Sequence, residues 1–467
     1  MGIEFNKSSL KKISIFTLVM INVIAVDNLR SLTIGAQFGT ALVFFYVLAA
    51  LLFFIPTILV TAELATGWPT IGGVYIWVRE AFGPRWGFLT IWLQWIYNVV
   101  WYPTIFAFMA GVSAYLIHPE LATNKVYMLS FILSAFWLAT FINFFGVHIS
   151  SWLSTIGALV GTILPMVLIA ILGITWMYLG KPLQISFTPR SFFPNLANLE
   201  NLAFFTNILF GLMGMEMSAV HAEDVENPTK NYPRALLIAS VIILTTLVLA
   251  CLAITIVVPL KELSLVSGLI DAFRIFFRAY HMEWFIPIIA GLIILGSLSG
   301  ASAWIIGPAR GLHIACQESG LPYFFQKLNK RNMPVGILLI QGIIVTGLCM
   351  LFVVMPTINS GYWVLSNLTA QLALLFYILF FATAIRLRYK YPNIKRAFKI
   401  PGGKIGMWMV SGTGIITCLI AIFIGFIPPT QIAIGTVYTY EAILIVGIVF
   451  FCVIPFLLTV NLKKLWE

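Results

Sequence analysis

Apolar residues run along this chain in blocks of about twenty or more, broken by short polar connections. At 1.5 Å per residue a helix of some 20 apolar residues spans the hydrocarbon core of a bilayer. Twelve such blocks can be marked, at about 12–38, 41–62, 86–117, 126–147, 150–179, 201–222, 235–260, 284–309, 335–355, 361–386, 405–427 and 437–461. The pattern predicts an all-α polytopic membrane protein with twelve transmembrane helices, a single transmembrane domain over residues 1–467. Blocks three and five are longer than a bilayer is thick, which predicts tilted helices or helix ends reaching into water. No hydrophilic stretch is long enough for a separate soluble domain.

Two blocks carry interruptions. The first contains Asp27, Asn28 and Arg30, and the sixth contains Gly211, Gly214 and Glu216. Glycine in a helix interior costs about 1 kcal/mol relative to alanine. An acidic side chain at bilayer depth costs at least about 2.5 kcal/mol. Lipid-facing backbone cannot be left unpaired, so interruptions of this kind belong where the chain lines a polar cavity. Two discontinuous spans at matching places in two halves point to a transporter's binding site.

Composition and charge narrow the class. The 467 residues are 61% hydrophobic and 9% charged, outside the range of soluble domains. The net charge of +11 comes from lysines and arginines in short loops between blocks, which argues for membrane orientation rather than nucleic-acid binding. With the N-terminus inside, alternating loops place 20 basic residues inside and 6 outside, and Arg30 belongs to neither set. That bias predicts both termini in the cytoplasm of a plasma (bacterial inner) membrane. Cys251, Cys316, Cys349, Cys418 and Cys452 fall within or at the ends of apolar blocks and read as small buried hydrophobes. Lys11 and Lys12 precede a block that continues as a span, so a cleavable leader is not expected.

The candidate chemistry is sparse. Asp27 and Arg30 lie three apart, so on a continuous helix they share a face; they neutralise each other, or one or both meet a zwitterionic substrate. An opened helix exposes amide hydrogens at the start of its second half, where a carboxylate binds, and carbonyls after Gly211 or Gly214 accept from an ammonium. Arginine grips a carboxylate through two parallel hydrogen bonds. Glu216 is either a buried hydrogen-bonding acid or a group that carries a proton or contacts a substrate cation. Trp304 follows the small-residue run Ser297–Ala303, which leaves room for a ligand or for close helix packing. The segment after Pro259 is amphipathic: an interfacial helix over the cavity mouth or a packed loop. Five scattered histidines supply neither a nucleophile–base pair nor a metal cluster, so neither an enzyme, a metal nor a cofactor is expected.

Several loop motifs resemble those of one family. Residues 62–78 (AELATGWPTIGGVYIWV) with 82–88 (FGPRWGF), 223–235 (EDVENPTKNYPRA), 304–311 (WIIGPARG) and 398–403 (FKIPGG) occur in the order found in the amino acid–polyamine–organocation superfamily. The set is most similar to its glutamate/γ-aminobutyrate antiporter branch. The resemblance implies a 5+5 inverted repeat, about 12–179 and 201–386, with two extra helices at about 405–461 and discontinuous spans one and six. It implies alternating access and exchange of small amino-acid substrates; protons are further candidate partners, membrane lipids surround the chain, and oligomeric state is left open. Carried over by position, the substrate-contacting segments are Ala25, Val26, Asp27, Asn28, Arg30 and Ser31, with Gly211, Gly214, Met215, Glu216 and Ala219. Trp304 joins them on the reading above. Glu216 matches a branch glutamate and is the proton-coupling candidate; Tyr377 matches a branch tyrosine. The chain departs from the branch at Asp27–Arg30, at Gly300, where the branch has an acidic residue, and in showing no counterpart of the C-terminal plug of acid-resistance members. Amino-acid transport is therefore the expectation, and exchange of glutamate for γ-aminobutyrate is not carried over.

Overall fold

The computed structural model describes residues 13–68, 73–145, 157, 159–194, 202–318 and 321–460. Calls on the chain ends, on 150–156 and on 69–72 of the first loop motif lie outside it. Every long element among the described residues is a helix. The first apolar block forms α1 (Ile15–Val26) and α2 (Leu29–Ala36), bent by 57° across Asp27 and Asn28. Then follow α3 (Gly39–Gly67), a loop helix α4 (Gly73–Phe82), α5 (Pro84–Ile117), α6 (Lys125–Phe144) and α7 (Leu159–Tyr178). The sixth block divides into α8 (Phe205–Gly211) and a 3₁₀ segment α9 (Met215–Asp224). After it come α10 (Pro228–Val257), a short α11 (Gly268–Ala279), α12 (Ile286–Glu318), α13 (Val335–Val354), α14 (Ile358–Lys390), α15 (Gly403–Gly425) and α16 (Val437–Val460).

Ten described helices are long and apolar enough to cross a membrane unbroken, and the bent pair and the divided sixth block complete the twelve. The amphipathic segment after Pro259 begins in turns and becomes a helix from Gly268, α11, packed on α2, α7 and α10. The five cysteines are free; four are buried and Cys452 is half-buried.

The long α5 and α14, whose hydrophobic windows are mostly buried, form the interior scaffold, with α12 lying along α5. Close approach of α7 and α12 is set by one glycine pair. A Cβ on Gly161 would stand 2.3 Å from the Gly296 Cα, so two backbones meet where side chains normally intervene.

At the end carrying the basic loops, Glu63 of α3 is the anchor. Its Oε2 accepts from Arg388 Nη2 at 2.6 Å and from the Ile400 amide at 2.8 Å, and Arg396 Nε lies 3.3 Å from Oε1. Thr66 Oγ1 accepts the Phe398 amide at 3.1 Å. Nearby, Glu318 at the end of α12 receives the Tyr75 hydroxyl and, at 2.9 Å, Arg79 Nη1 from α4. Burial, and then the adjoining Glu318 carboxylate, push the Tyr75 phenol up, so it stays a donor in this contact. The start of α1 is held too: the Glu226 amide donates to Ile13 O at 3.1 Å in a two-residue β-bridge between Ile13 and Val225.

Removing one partner of a buried ion pair typically costs about 3–5 kcal/mol, because the remaining charge keeps its desolvation penalty. Glu63→Ala strands Arg388 and Arg396 and should lower the melting temperature of the purified protein far more than Lys327→Ala at an exposed position. Equal melting of the two variants would show that the cluster does not hold this end.

Candidate functional site

The break between α1 and α2 is organised by its own polar residues. The Asp27 amide caps α1 by donating to Val23 O at 2.8 Å. Asn28 caps α2, its Oδ1 accepting the Arg30 amide at 2.9 Å, and Ser31 Oγ donates to Asn28 O at 2.7 Å. In the sixth span the break centres on Gly214, whose φ of 120° is a conformation that side chains rarely adopt. A Cβ there would lie 3.2 Å from Ala25 O, so glycine lets the two breaks touch. Gly214 N–H, left without a helical acceptor, donates to the Tyr377 hydroxyl at 3.0 Å. Tyr377 in turn donates to Glu216 Oε2 at 2.6 Å, which ties α14 to both sides of the break. The other Glu216 oxygen is buried without a partner.

Between the breaks lies a cavity of about 50 Å³, lined chiefly by Asn28, Arg30, Tyr97, Asn98, Trp101 and Trp304 around exposed backbone of both broken spans. It is small: one water needs roughly 10–15 Å³ in this measure, so the space holds a few waters. Beyond α2, towards the other end, a second cavity of about 410 Å³ is lined by polar residues including Gln37, Lys125, Lys261 and Asn359. Along α2 between the two, Thr33 Oγ1 donates to Leu265 O at 2.8 Å and Gln37 Nε2 to Leu263 O at 3.2 Å.

Arg30 carries the charge of the small cavity. It is 1% exposed. Its Nη1 donates to Ser366 Oγ at 3.0 Å, and its guanidinium stands 5.5 Å from the Phe210 ring centre and 5.8 Å from that of Tyr362. Nε has no acceptor. Asp27 turns the other way, to Thr246 of α10, whose hydroxyl lies 3.1 Å from Oδ2. No described carboxylate pairs with Arg30. The 57° bend separates two side chains that a straight helix would have set on one face.

Of the residues singled out from sequence, Ala25, Val26, Asn28, Arg30, Gly211, Gly214 and Trp304 line the cavity. Asp27, Ser31, Met215, Glu216, Ala219 and Tyr377 do not; Glu216 and Tyr377 brace the Gly214 break from behind. Met213, within the segment from Gly211 to Ala219, also lines it; Tyr97, Asn98, Trp101 and Phe210 line it and were missed. The signal for Tyr97, Asn98 and Trp101 was Gln94 and Asn98, two amide side chains four apart on one face of the mostly apolar α5. Chemically, the site offers a cation and the amide end of α2 to a carboxylate, and the carbonyl ends of α1 and α8 to an ammonium.

The amino acid permease family model matches residues 12–451. An uncharacterized transporter of Legionella pneumophila is 54% identical over 96% of this chain and 97% of its own. A glutamate/γ-aminobutyrate antiporter of Lactococcus lactis is 33% identical over 96% of this chain and 90% of its own. A probable agmatine/putrescine antiporter of the same species is 27% identical over 84% and 83%. Among solved structures, MhsT in complex with L-phenylalanine matches with a TM-score of 0.57 over 91% of this chain and 100% of its own, at 15% identity, which establishes the fold. The chain belongs to the amino acid permease family, and it is an integral, multi-pass membrane transporter.

Because Asp27 and Arg30 face different helices, their substitutions should act independently. In a double-mutant cycle of Asp27→Asn and Arg30→Gln, read on melting and on ligand affinity, the coupling should stay within about 0.5 kcal/mol. Recovery of the double mutant over Arg30→Gln alone would restore the mutual-neutralisation reading.

Proposed function

We propose that this protein moves amino acids across a plasma (bacterial inner) membrane by exchange, using alternating access around the Arg30 cavity, with both termini in the cytoplasm. The supporting observation is the meeting of two broken helices at a small cavity whose single charge, Arg30, has no described counter-ion. A buried guanidinium without an anion is costly, and a substrate carboxylate relieves that cost when it binds. The α-ammonium goes to carbonyls near Ala25 and Gly211, and Trp101, Phe210 and Trp304 shape the remainder. Glu216, with one free oxygen behind Gly214, remains a candidate for proton coupling. The cavity is too small for most amino acids as it stands, so this conformation must widen to bind. Rocking of the repeats at 12–179 and 201–386, with 405–461 as the outer pair, supplies that opening.

Exchange is supported by the antiporters among the relatives. In proteoliposomes, a labelled amino acid found from a panel should enter several-fold faster when the vesicles are preloaded with amino acid. Equal uptake into empty and preloaded vesicles, driven by a pH gradient, would replace exchange with proton symport. Binding without any flux would make the protein a receptor.

Arg30→Lys tests the carboxylate reading directly, since an ammonium cannot reproduce the planar fork. A charged hydrogen bond is worth about 1.5–3 kcal/mol, so the substrate Kd should rise roughly ten- to hundredfold with stability retained. An unchanged Kd would remove Arg30 from the site.

A further inference from the structure

Asp27 has no part in the scheme above. It is 5% exposed, it does not line the cavity, and no described cation pairs with it. Its one described side-chain hydrogen-bond partner is Thr246 Oγ1, at 3.1 Å from Oδ2 and 3.4 Å from Oδ1. The same hydroxyl oxygen lies 2.9 Å from Ile242 O and 3.0 Å from Ile243 O. A hydroxyl has a single hydrogen and two acceptor lone pairs. If Thr246 gives its hydrogen to an ionised Asp27, its contacts with the two carbonyls are oxygen against oxygen. If Asp27 is protonated, its O–H donates to Thr246, and Thr246 donates to the nearer carbonyl of its own helix. Only the second arrangement turns the 2.9 Å contact with Ile242 O into a hydrogen bond while keeping the contact with Asp27, and leaves no ionised carboxylate in the protein interior.

We propose that Asp27 is a proton-binding site, and that its protonation is linked to the bend of the first span. Its amide closes α1, so this residue is itself the corner of the 57° bend. Taking a proton from water seats the neutral carboxyl on Thr246. Releasing it leaves a carboxylate that must reach water, which requires the corner to leave α10. The step moves one proton and breaks no other covalent bond.

Among the described residues, titratable groups on neighbouring elements have partners of their own. From α3, Tyr46 lies within electrostatic reach of Asp27, and its hydroxyl stands 3.6 Å from Cys251 Sγ. From α10, Cys251 donates to Leu32 O at 3.4 Å. From α9, Glu216 is engaged by Tyr377. On α11, Asp271 is engaged by Tyr115 and Ser267. The described α7 residues next to α1, Leu159–Ile163, hold no titratable group, nor does α8. Arg30, on the same broken span, is turned to Ser366.

Wild type and Asp27→Asn, which fixes the neutral shape, are compared in proteoliposomes across pH, alongside infrared spectra of the purified proteins. Wild-type exchange should fall about tenfold per pH unit above a one-proton limb, and that limb should be absent in Asp27→Asn. The wild-type-minus-variant spectrum should contain a protonated-carboxyl band below the limb that vanishes above it. Identical pH profiles, or no such band, would overturn the proposal. So would a wild-type dependence on sodium over choline that Asp27→Asn abolishes without any carboxyl band, since the site would then hold a metal cation. If Asp27→Asn does not fold, Thr246→Val takes its place: removing Asp27's described side-chain partner must move the limb, and an unmoved limb overturns the proposal. The flux arm rests on the transport reading. A wild type without flux would fail that reading, while the infrared arm still decides on Asp27.

Discussion

A backbone amide or carbonyl inside a membrane must find a partner, and the arrangement of this protein follows from having broken that rule twice. Each break frees polar groups at a depth where water is scarce. The structure answers with short local substitutes: Asn28 for the start of α2, the Asp27 amide for the end of α1, and the Tyr377 hydroxyl for Gly214 N–H. Beside these caps lies the small cavity lined by residues of both breaks. Placing both breaks beside each other needs a residue without a side chain, and Gly214 against Ala25 O meets that need.

The loop motifs that carry the family resemblance are contact partners in space. Glu63 and Thr66 belong to the first motif, and Phe398 and Ile400 to the last; their bonds join the end of α3 to the loop between α14 and α15. Tyr75 of the first motif, and Arg79 just after it, reach Glu318. Residues more than 300 positions apart in the chain therefore make one polar seam at the basic end.

Much of this was legible beforehand. Blocks of apolar residues gave the spans because helix length and bilayer thickness leave few alternatives, and the two breaks showed as polar residues and glycines where neither belongs. The partners of the polar residues were not legible. Asp27 and Arg30 read as sharing a face, whether as a pair or toward a substrate, because helical periodicity was extended through a corner that the same residues create. Tyr97 and Trp101 were hidden because an aromatic residue facing a ligand and one facing a neighbouring helix leave the same mark in a single sequence. Tyr377 was reached only through resemblance, and its position behind Gly214 depends on how α14 packs, which no local pattern reports.

The β-bridge between Ile13 and Val225 has a mechanical consequence. It fastens the leading end of α1 to the trailing end of α9, two half-helices that belong to different halves of the chain. With their other ends already in contact through Ala25 and Gly214, the pair is clasped at top and bottom like the two leaves of a shutter on one rail. Such a shutter has a single degree of freedom. Either both half-helices swing together, or the clasp opens first and the amide of Glu226 gives up its bond to Ile13 O.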